Sequence, residues 1–435
     1  MTDHSEPFKR KALGLAIALS LSSLATSAHA DALQDLQAKV DVLLKKVADL
    51  EQKQVTATPA NVVTGGATKG SFKLPGSDTS VTLGGYVKLD AIYSDPSAGV
   101  GKTADQEFEP GSIPVGPSAG ANERHQIKLH ARQSRLNVKT STPTAWGDMN
   151  TFLEFDLFGA SGNEIVSNSN SLRVRHAYGS IGGLLAGQTW STFMDVGALP
   201  ETLDFGGPAG EIFVRQAQVR WTQPFSAGQW SLALENPASV VTLPTGASFQ
   251  AHGDRVPDIA GNINFNTSMG RYSMTGLVRQ IRVDSASAPA SQHQKWGGAI
   301  GFNGVVPIFG RDDVRFSANV GNAIGRYSVG FFTDAILDTS GQIDLPTQWA
   351  AIASYRHFWS DQLRSTVALS GKHANNPFGT FGSVNKSAQS AHLNLIWSPV
   401  ANTNLGMEYI YGRRETENGQ TGKLNRLQAS AQYSF

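Results

Sequence analysis

The chain has 435 residues, no cysteine, 45 glycines and a mean hydropathy of −0.21, with 36 Lys+Arg against 35 Asp+Glu. That balance gives no ground for nucleic-acid binding or for a purely electrostatic membrane patch, and the missing cysteines exclude disulfides, thiolate metal ligands and a thiol nucleophile. A chain of this length must be held by something else, and a closed strand ladder serves because it has no unpaired edge.

Lys9, Arg10 and Lys11 precede an apolar run from Ala12 to Leu24, and Ala28-His29-Ala30 supplies the small-x-small pattern of a signal-peptidase site. Residues 1–30 are therefore read as a signal peptide. Removing it takes away three cations and two acids (Asp3 and Glu6), which leaves 33 charges of each sign. No later run of about 18 apolar residues offers a transmembrane helix. Leu33, Leu36, Val40, Leu43, Val47 and Leu50 alternate spacings of three and four, the a/d seam of a short coiled coil over 31–54. Its length is roughly 30 Å, and the narrow stripe suits self-association. Val at a with Leu at d leans toward dimers. Residues 55–79, rich in Thr, Ala, Gly and Pro, read as a linker.

From Ser80 to Phe435 the chain reads as sixteen antiparallel strands, starting near 80, 123, 147, 170, 183, 212, 228, 256, 270, 293, 312, 347, 362, 387, 402 and 421. The first alternates Val81, Leu83, Val87, Leu89, Ala91 and Tyr93 with Thr82, Tyr86, Lys88 and Asp90. The last sets Leu427, Ala429, Ala431, Tyr433 and Phe435 against Gln428, Ser430, Gln432 and Ser434, one apolar and one wet face up to the final aromatic. Links after even strands are short and those after odd strands mostly long. This parity is that of a bacterial outer-membrane barrel with periplasmic termini, and an edge strand of a soluble sandwich gives no reason for it. The fold class is thus all-β: a 16-stranded transmembrane β-barrel behind a short helical coiled coil. Tyr93, Phe158, Trp190, Trp221, Phe225, Trp230, Trp296, Tyr355, Phe358, Trp359, Trp397, Tyr411, Tyr433 and Phe435 fall near strand ends, where two aromatic girdles are expected.

Opposite the apolar face the strands place Arg132, Arg173, Arg175, Arg220, Arg271, Arg279, Arg315, Arg356, Arg364 and Arg426. Each would cost about 2–4 kcal/mol facing lipid near the midplane, so they are expected to line the lumen with Lys88, and to favour anions. Arg135 and Arg215 fall out of phase, which predicts bulges near Gln133-Ser134 and Arg215-Gln216. Glu154 and Asp156 share the inward face, so part of the cluster is expected to be ion-paired wall. The 191–211 connection carries Asp195, Glu201 and Asp204 and is expected to fold inward as a constriction loop, its acids facing wall arginines. Enzyme signatures are weak. Gly116 to Gly120 (GPSAG) is the one Gly-x-Ser-x-Gly match, and it lacks a strand-turn-helix context. His125 with His130, and His373 with His392, lack a third ligand, so no metal or other cofactor is expected.

The stretches 71–95, 131–159 (ARQSRLNVKTSTPTAWGDMNTFLEFDLFG), 172–195 (LRVRHAYGSIGGLLAGQTWSTFMD) and 200–210 (PETLDFGGPAG), together with the helix and linker, resemble DcaP-type outer-membrane porins over essentially the whole mature chain. The resemblance implies a homotrimer of sixteen-stranded barrels in the outer membrane of a Gram-negative bacterium, with helices bundled in the periplasm. It also implies uptake of small anionic solutes such as dicarboxylic or aromatic acids. By position, Arg132, Arg135, Arg173, Arg175 and the 191–211 loop match the family's charged pore lining. Outer-membrane lipid and lipopolysaccharide are the expected surroundings. Two alternatives from other classes are an envelope tether acting through the coiled coil and an outer-membrane hydrolase that uses Ser118.

Overall fold

The computed structural model describes residues 30–56, 63–96, 105–119, 125–159, 165–251, 253–284, 290–330 and 332–435. The expected signal peptide, apart from Ala30, lies outside the described residues. Two compact units are resolved, a helical one and a strand-built one.

In the helical unit one α-helix, α1, spans Ala30–Thr56. Lys39 and Asp35, one turn apart, pair at 2.7 Å on its surface. Leu36, Leu43 and Val47, part of the a/d seam, are exposed on the single chain, as is Leu44 beside them. The side chains of Leu33 and Leu50 lie outside the described residues.

The second unit is a closed antiparallel barrel. Its strands are β1 (Ser80–Asp95), β2 (Gln126–His130 and Arg135–Thr144), β3 (Gly147–Asp156), β4 (Arg173–Ile181), β5 (Leu184–Trp190), β6 (Arg215–Phe225), β7 (Gly228–Glu235) and β8 (Asp258–Thr267). They continue as β9 (Gly270–Arg282), β10 (Gln294–Pro307), β11 (Asp313–Asn322), β12 (Thr347–Phe358), β13 (Leu363–Asn375), β14 (Asn385–Trp397), β15 (Thr403–Thr416) and β16 (Thr421–Ser434). Each pairs with its neighbour, and β16 returns to β1 with Arg426 opposite Ser94 and Ser434 opposite Tyr86, so no edge is left open. Phe72–Lys73, inside the segment read as linker, pairs with Ser80 and Val81.

Burial runs opposite to that of a soluble domain. On β16, Arg426 and Gln428 are 0 % and 1 % exposed while Leu427 between them is 43 % exposed; on β10 Ile300 stands 67 % exposed. Apolar side chains outside and polar ones inside match a protein whose outer solvent is lipid. Links after even strands are 145–146, 182–183, 226–227, 268–269, 308–312, 359–362 and 398–402; those after odd strands are longer except 417–420.

Three of the long connections turn into the barrel and pack there, not one as expected. Phe108 and Ile113 of the first bury against Ile410 and Leu424; Phe193, Met194 and Ile212 of the third pack on Ala260, Leu277, Ala299 and Ala350; Phe332 of the sixth lies by Ala374 and Ala388. The inner wall has to be small where they dock. A Cβ on Gly422 would sit 1.8 Å from the carbonyl oxygen of Pro114, and one on Gly210 would sit 2.5 Å from that of Gly371. Ser239–Thr242, Ser248–Ala251, Ala335–Leu337 and Ile343–Asp344 form a second small sheet that joins two of the long connections, with Val241 parallel to Ala335.

Two local departures from a regular ladder aim the arginines. Ala131–Ser134 leave β2, and the Ser134 hydroxyl accepts the Lys88 amide at 3.0 Å in place of the lost ladder bond. This interruption accounts for the phase of Arg135. No bulge exists at Arg215-Gln216, which pair regularly with Trp190 and Thr189. The bulge is instead on β4, where Glu154 opposes His176 and Phe155 opposes Val174, leaving Arg175 as the extra residue. Arg175 and His176 therefore both turn inward.

Candidate functional site: the arginine-walled constriction

The 191–211 connection is tied down along its length by side chains of the wall. Glu235 accepts from the Ser191 hydroxyl at 2.8 Å and the Thr192 amide at 2.6 Å. Asp195 pairs with Arg271 at 2.6 Å and caps the amide of Gly197 at 3.1 Å; Arg315 donates to the carbonyl oxygen of Leu199 at 2.9 Å and pairs with Asp313 at 2.7 Å. Glu201 receives a bidentate pair of bonds from Arg364, with the shortest at 2.6 Å, and one from Arg356 at 3.3 Å. Lys88 donates to Leu203 O at 2.6 Å and pairs with Asp90 at 3.0 Å; Asp204 pairs with Arg426 at 3.3 Å and accepts the amide of Phe108 at 2.7 Å. Ala209 and Gly210 donate to Ser390 and Ser370. The three acids singled out in the sequence are thus anchors, each bonded to a wall arginine. Glu201's carboxyl, pushed up by burial, is nevertheless held below its ordinary range by the Arg364 and Arg356 guanidiniums.

Several sequence-predicted arginines do not face open space. Arg279 is fully buried between Asp258 (3.0 Å) and Asp334 (2.8 Å), and also donates to the carbonyl oxygens of Ala323 and Ala238. Arg132 is buried, with Leu157 O at 3.1 Å and Gln106 Oε1 at 2.7 Å. Arg220 lies on the inner face of β6, where its buried Nε has no partner among the described residues. Phe158 and Trp190, expected in the girdles, belong to the interior. Phe158 stacks on Phe205 at 4.7 Å, and Trp190 meets Phe213 edge-on at 4.9 Å.

A cluster on β2, β3, β4 and β6 is partly accessible: Arg173 and Arg135 show 31 % and 21 % of their side chains, whereas Arg175, expected to line the pore, is buried at 1 % because both carboxylates close over it. Arg173 forks onto Asp156 at 3.0 and 2.8 Å, Arg175 bridges Glu154 (2.6 Å) and Asp156 (2.9 Å), and Arg135 approaches Glu154 at 3.7 Å. Arg215 has no acid of its own; it lies over the rings of Trp190 and Phe213 at 4.7 and 5.2 Å. Three guanidiniums thus share two carboxylates beside a fourth without one, and among the described residues the buried Arg135 Nε and Arg215 Nη1 have no hydrogen-bond partner. Rings of Tyr86, Phe158 and Phe205 carry the flat faces of Arg135 and Arg173 and hold them extended.

Beside this cluster is a cavity of about 400 Å³, walled by Arg173, Arg326, Glu107, Glu109 and the rings of Phe108, Phe205, Phe213 and Phe332. Arg326 and Glu107 were not singled out in the sequence, because nothing in their long connections shows that they turn inward; Glu211 ends the loop that was expected to do so, but no wall arginine was in view to mark it. Arg326 reaches Gln216 at 2.6 Å and Asp258 at 3.1 Å. Among the described residues no group of three or more His, Cys, Asp or Glu is placed to hold a metal. His392 is bonded to Glu408 at 2.9 Å, and Gly116–Ser118 is a single 3-10 turn between irregular segments.

Comparison by sequence with curated proteins gave no significant match. Among solved structures, the outer membrane channel DcaP of Acinetobacter baumannii is 24 % identical, with 86 % of this chain and 100 % of that one covered at a TM-score of 0.73. The anion-selective porin from Comamonas acidovorans (12 % identical, 82 % and 100 % covered, TM-score 0.52) and the trimer form of the outer membrane protein OmpT of Vibrio cholerae (9 %, 82 % and 99 %, 0.52) share the fold. The DcaP outer membrane protein family profile matches residues 15–435, and the chain belongs to that family, an outer-membrane β-barrel with the porin fold.

Proposed function

We propose that this barrel is a passive channel for small anionic solutes, organic acids such as dicarboxylates or aromatic acids, and that Arg135, Arg173, Arg175 and Arg215 set its charge preference. The observation that carries the reading is that four guanidiniums stand against two carboxylates, Glu154 and Asp156, with 31 % of the Arg173 and 21 % of the Arg135 side chain exposed. A guanidinium stays charged at any working pH and offers paired donors to a carboxylate. Likeness of fold to a porin named anion-selective is in keeping with this. The arginines that pin the 191–211 loop narrow the passage, so they shape the channel rather than supply free charge. The exposed seam of α1 suits self-association in the periplasm; a trimer, with the barrels' apolar outer faces against one another, outer-membrane lipid and lipopolysaccharide, would have to override the dimer lean of its heptads.

The test is the reversal potential of the purified protein in a planar bilayer under a KCl gradient, before and after R135Q, R173Q and R215Q together. An anion preference that collapses in the triple variant supports the reading. Cation preference in the wild type would remove the anion mechanism and leave the channel.

A further inference from the structure

Glu107 has no evident place in an anion channel. It sits on the first inward connection, 9 % exposed, and lines the cavity that also shows Arg173 and Arg326. Neighbouring polar groups are spoken for. Asp204 is bonded to Arg426 and to the amides of Phe108 and Gly206; Glu109 accepts from the Ser112 hydroxyl at 3.2 Å; Arg173 gives Nε and Nη2 to Asp156 and, among the described residues, bonds no acceptor through Nη1. Among the described residues no hydrogen bond or ion pair to the Glu107 carboxyl is formed. A carboxyl buried without a partner is costly unless a ligand supplies the missing donor. Two cations, an unmet acid and four phenyl rings lining one cavity are complementary to one kind of small molecule.

We propose that this cavity is a binding site for ampholytes with an aromatic or similarly apolar body, an aromatic α-amino acid being the simplest: the carboxylate turns to Arg173 and Arg326, the ammonium to Glu107, and the ring to Phe108, Phe205, Phe213 and Phe332. The site rests on the channel reading and adds to it a solute class that carries both charges. A volume of about 400 Å³ falls within the range of small-molecule pockets.

Protonation of Glu107 supports the assignment. Burial, with the carboxylates of Glu109 and Asp204, pushes its carboxyl up to about 8 against the opposing pull of Arg173 and Arg132. Without a ligand the Glu107 carboxyl is therefore mostly neutral at pH 7. An incoming ammonium must displace that proton, so ampholyte binding releases a proton and strengthens with pH up to about 8. A plain carboxylate has the reverse dependence, because an ionised Glu107 repels it.

The experiment compares block of KCl current in planar bilayers by L-phenylalanine and by 3-phenylpropionate, which has the same body without the ammonium, from pH 6 to 9. Wild type is expected to favour phenylalanine at pH 7 by about fivefold, the worth of one modest charge-assisted contact. E107Q is expected to erase or reverse that preference, E107D to keep it, and R173Q to weaken both blockers alike. Equal or better block by phenylpropionate in the wild type, a ratio unchanged in E107Q, or parallel pH trends for the two would each overturn the proposal. The wild-type pH series needs no variant to fold. A protein that conducts KCl without such discrimination loses this site alone, whereas one that does not conduct loses the channel reading as well.

Discussion

Replacing Glu201 by Gln tests whether the 191–211 loop is held by charge. Its carboxylate accepts three contacts from Arg364, at 3.0, 2.9 and 2.6 Å, and one from Arg356 at 3.3 Å, with side-chain exposures of 26 %, 16 % and 22 % for the three residues. A fully buried pair broken at one partner costs about 3–5 kcal/mol and an exposed one about 0–1, so this half-screened triad is worth about 2 kcal/mol. Asp195 and Asp204 still anchor the loop on either side, so the barrel stays folded and the segment between them loosens. Two kcal/mol raises its undocked population about thirtyfold. Amide hydrogen exchange over residues 199–204 should accelerate by that order. Current noise should also grow, and anion preference should rise because Arg356 and Arg364 lose a counter-charge. Acid should mimic the substitution: with the folded carboxyl lowered from 4.5, the tie is complete above that value and is lost as pH falls through the lower one. Unchanged exchange and noise in E201Q would refute the idea that this pair restrains the loop.

Other perturbations separate wall from channel. R279Q would leave Asp334 buried without its guanidinium and Asp258 with Arg326 alone, and should destabilise the barrel by about 3 kcal/mol in urea titrations, while any folded fraction keeps the wild-type reversal potential. G422V places side-chain atoms where Pro114 O now lies and should expel the first inward connection, seen as a larger single-channel conductance. Glu211 is pushed well above its usual range by burial and then by Asp204, so the native state holds a proton that the unfolded chain releases above about 4.5. Stability should therefore fall as pH rises from there, and E211Q should flatten the thermal-melting profile between pH 5 and 8.

Period-two alternation and loop parity were enough for the barrel. The sixteen strand starts fall within three residues of those expected, with offsets that large at 126, 173 and 215. Lipid and water impose opposite demands on alternate side chains, so β16 reads the same in sequence and in space. Inward arginines were legible for the same reason. Their partners were not: Arg279 and Arg173 look alike in sequence, yet Asp334, 55 residues away, closes over one, while the other shares Asp156 beside a cavity. The bulge at Arg175 was hidden because Val174 and Ala177 both suit the outer face, and only the pairing with β3 shows the residue that was skipped. Solvent polarity, acting residue by residue, writes the strands, the inward charge and the helical seam into the chain itself. Which connections enter the lumen, which acids they bring to which arginines, and that Glu107 is left with none depend on contacts between segments far apart in sequence, and these exist only once the barrel has closed.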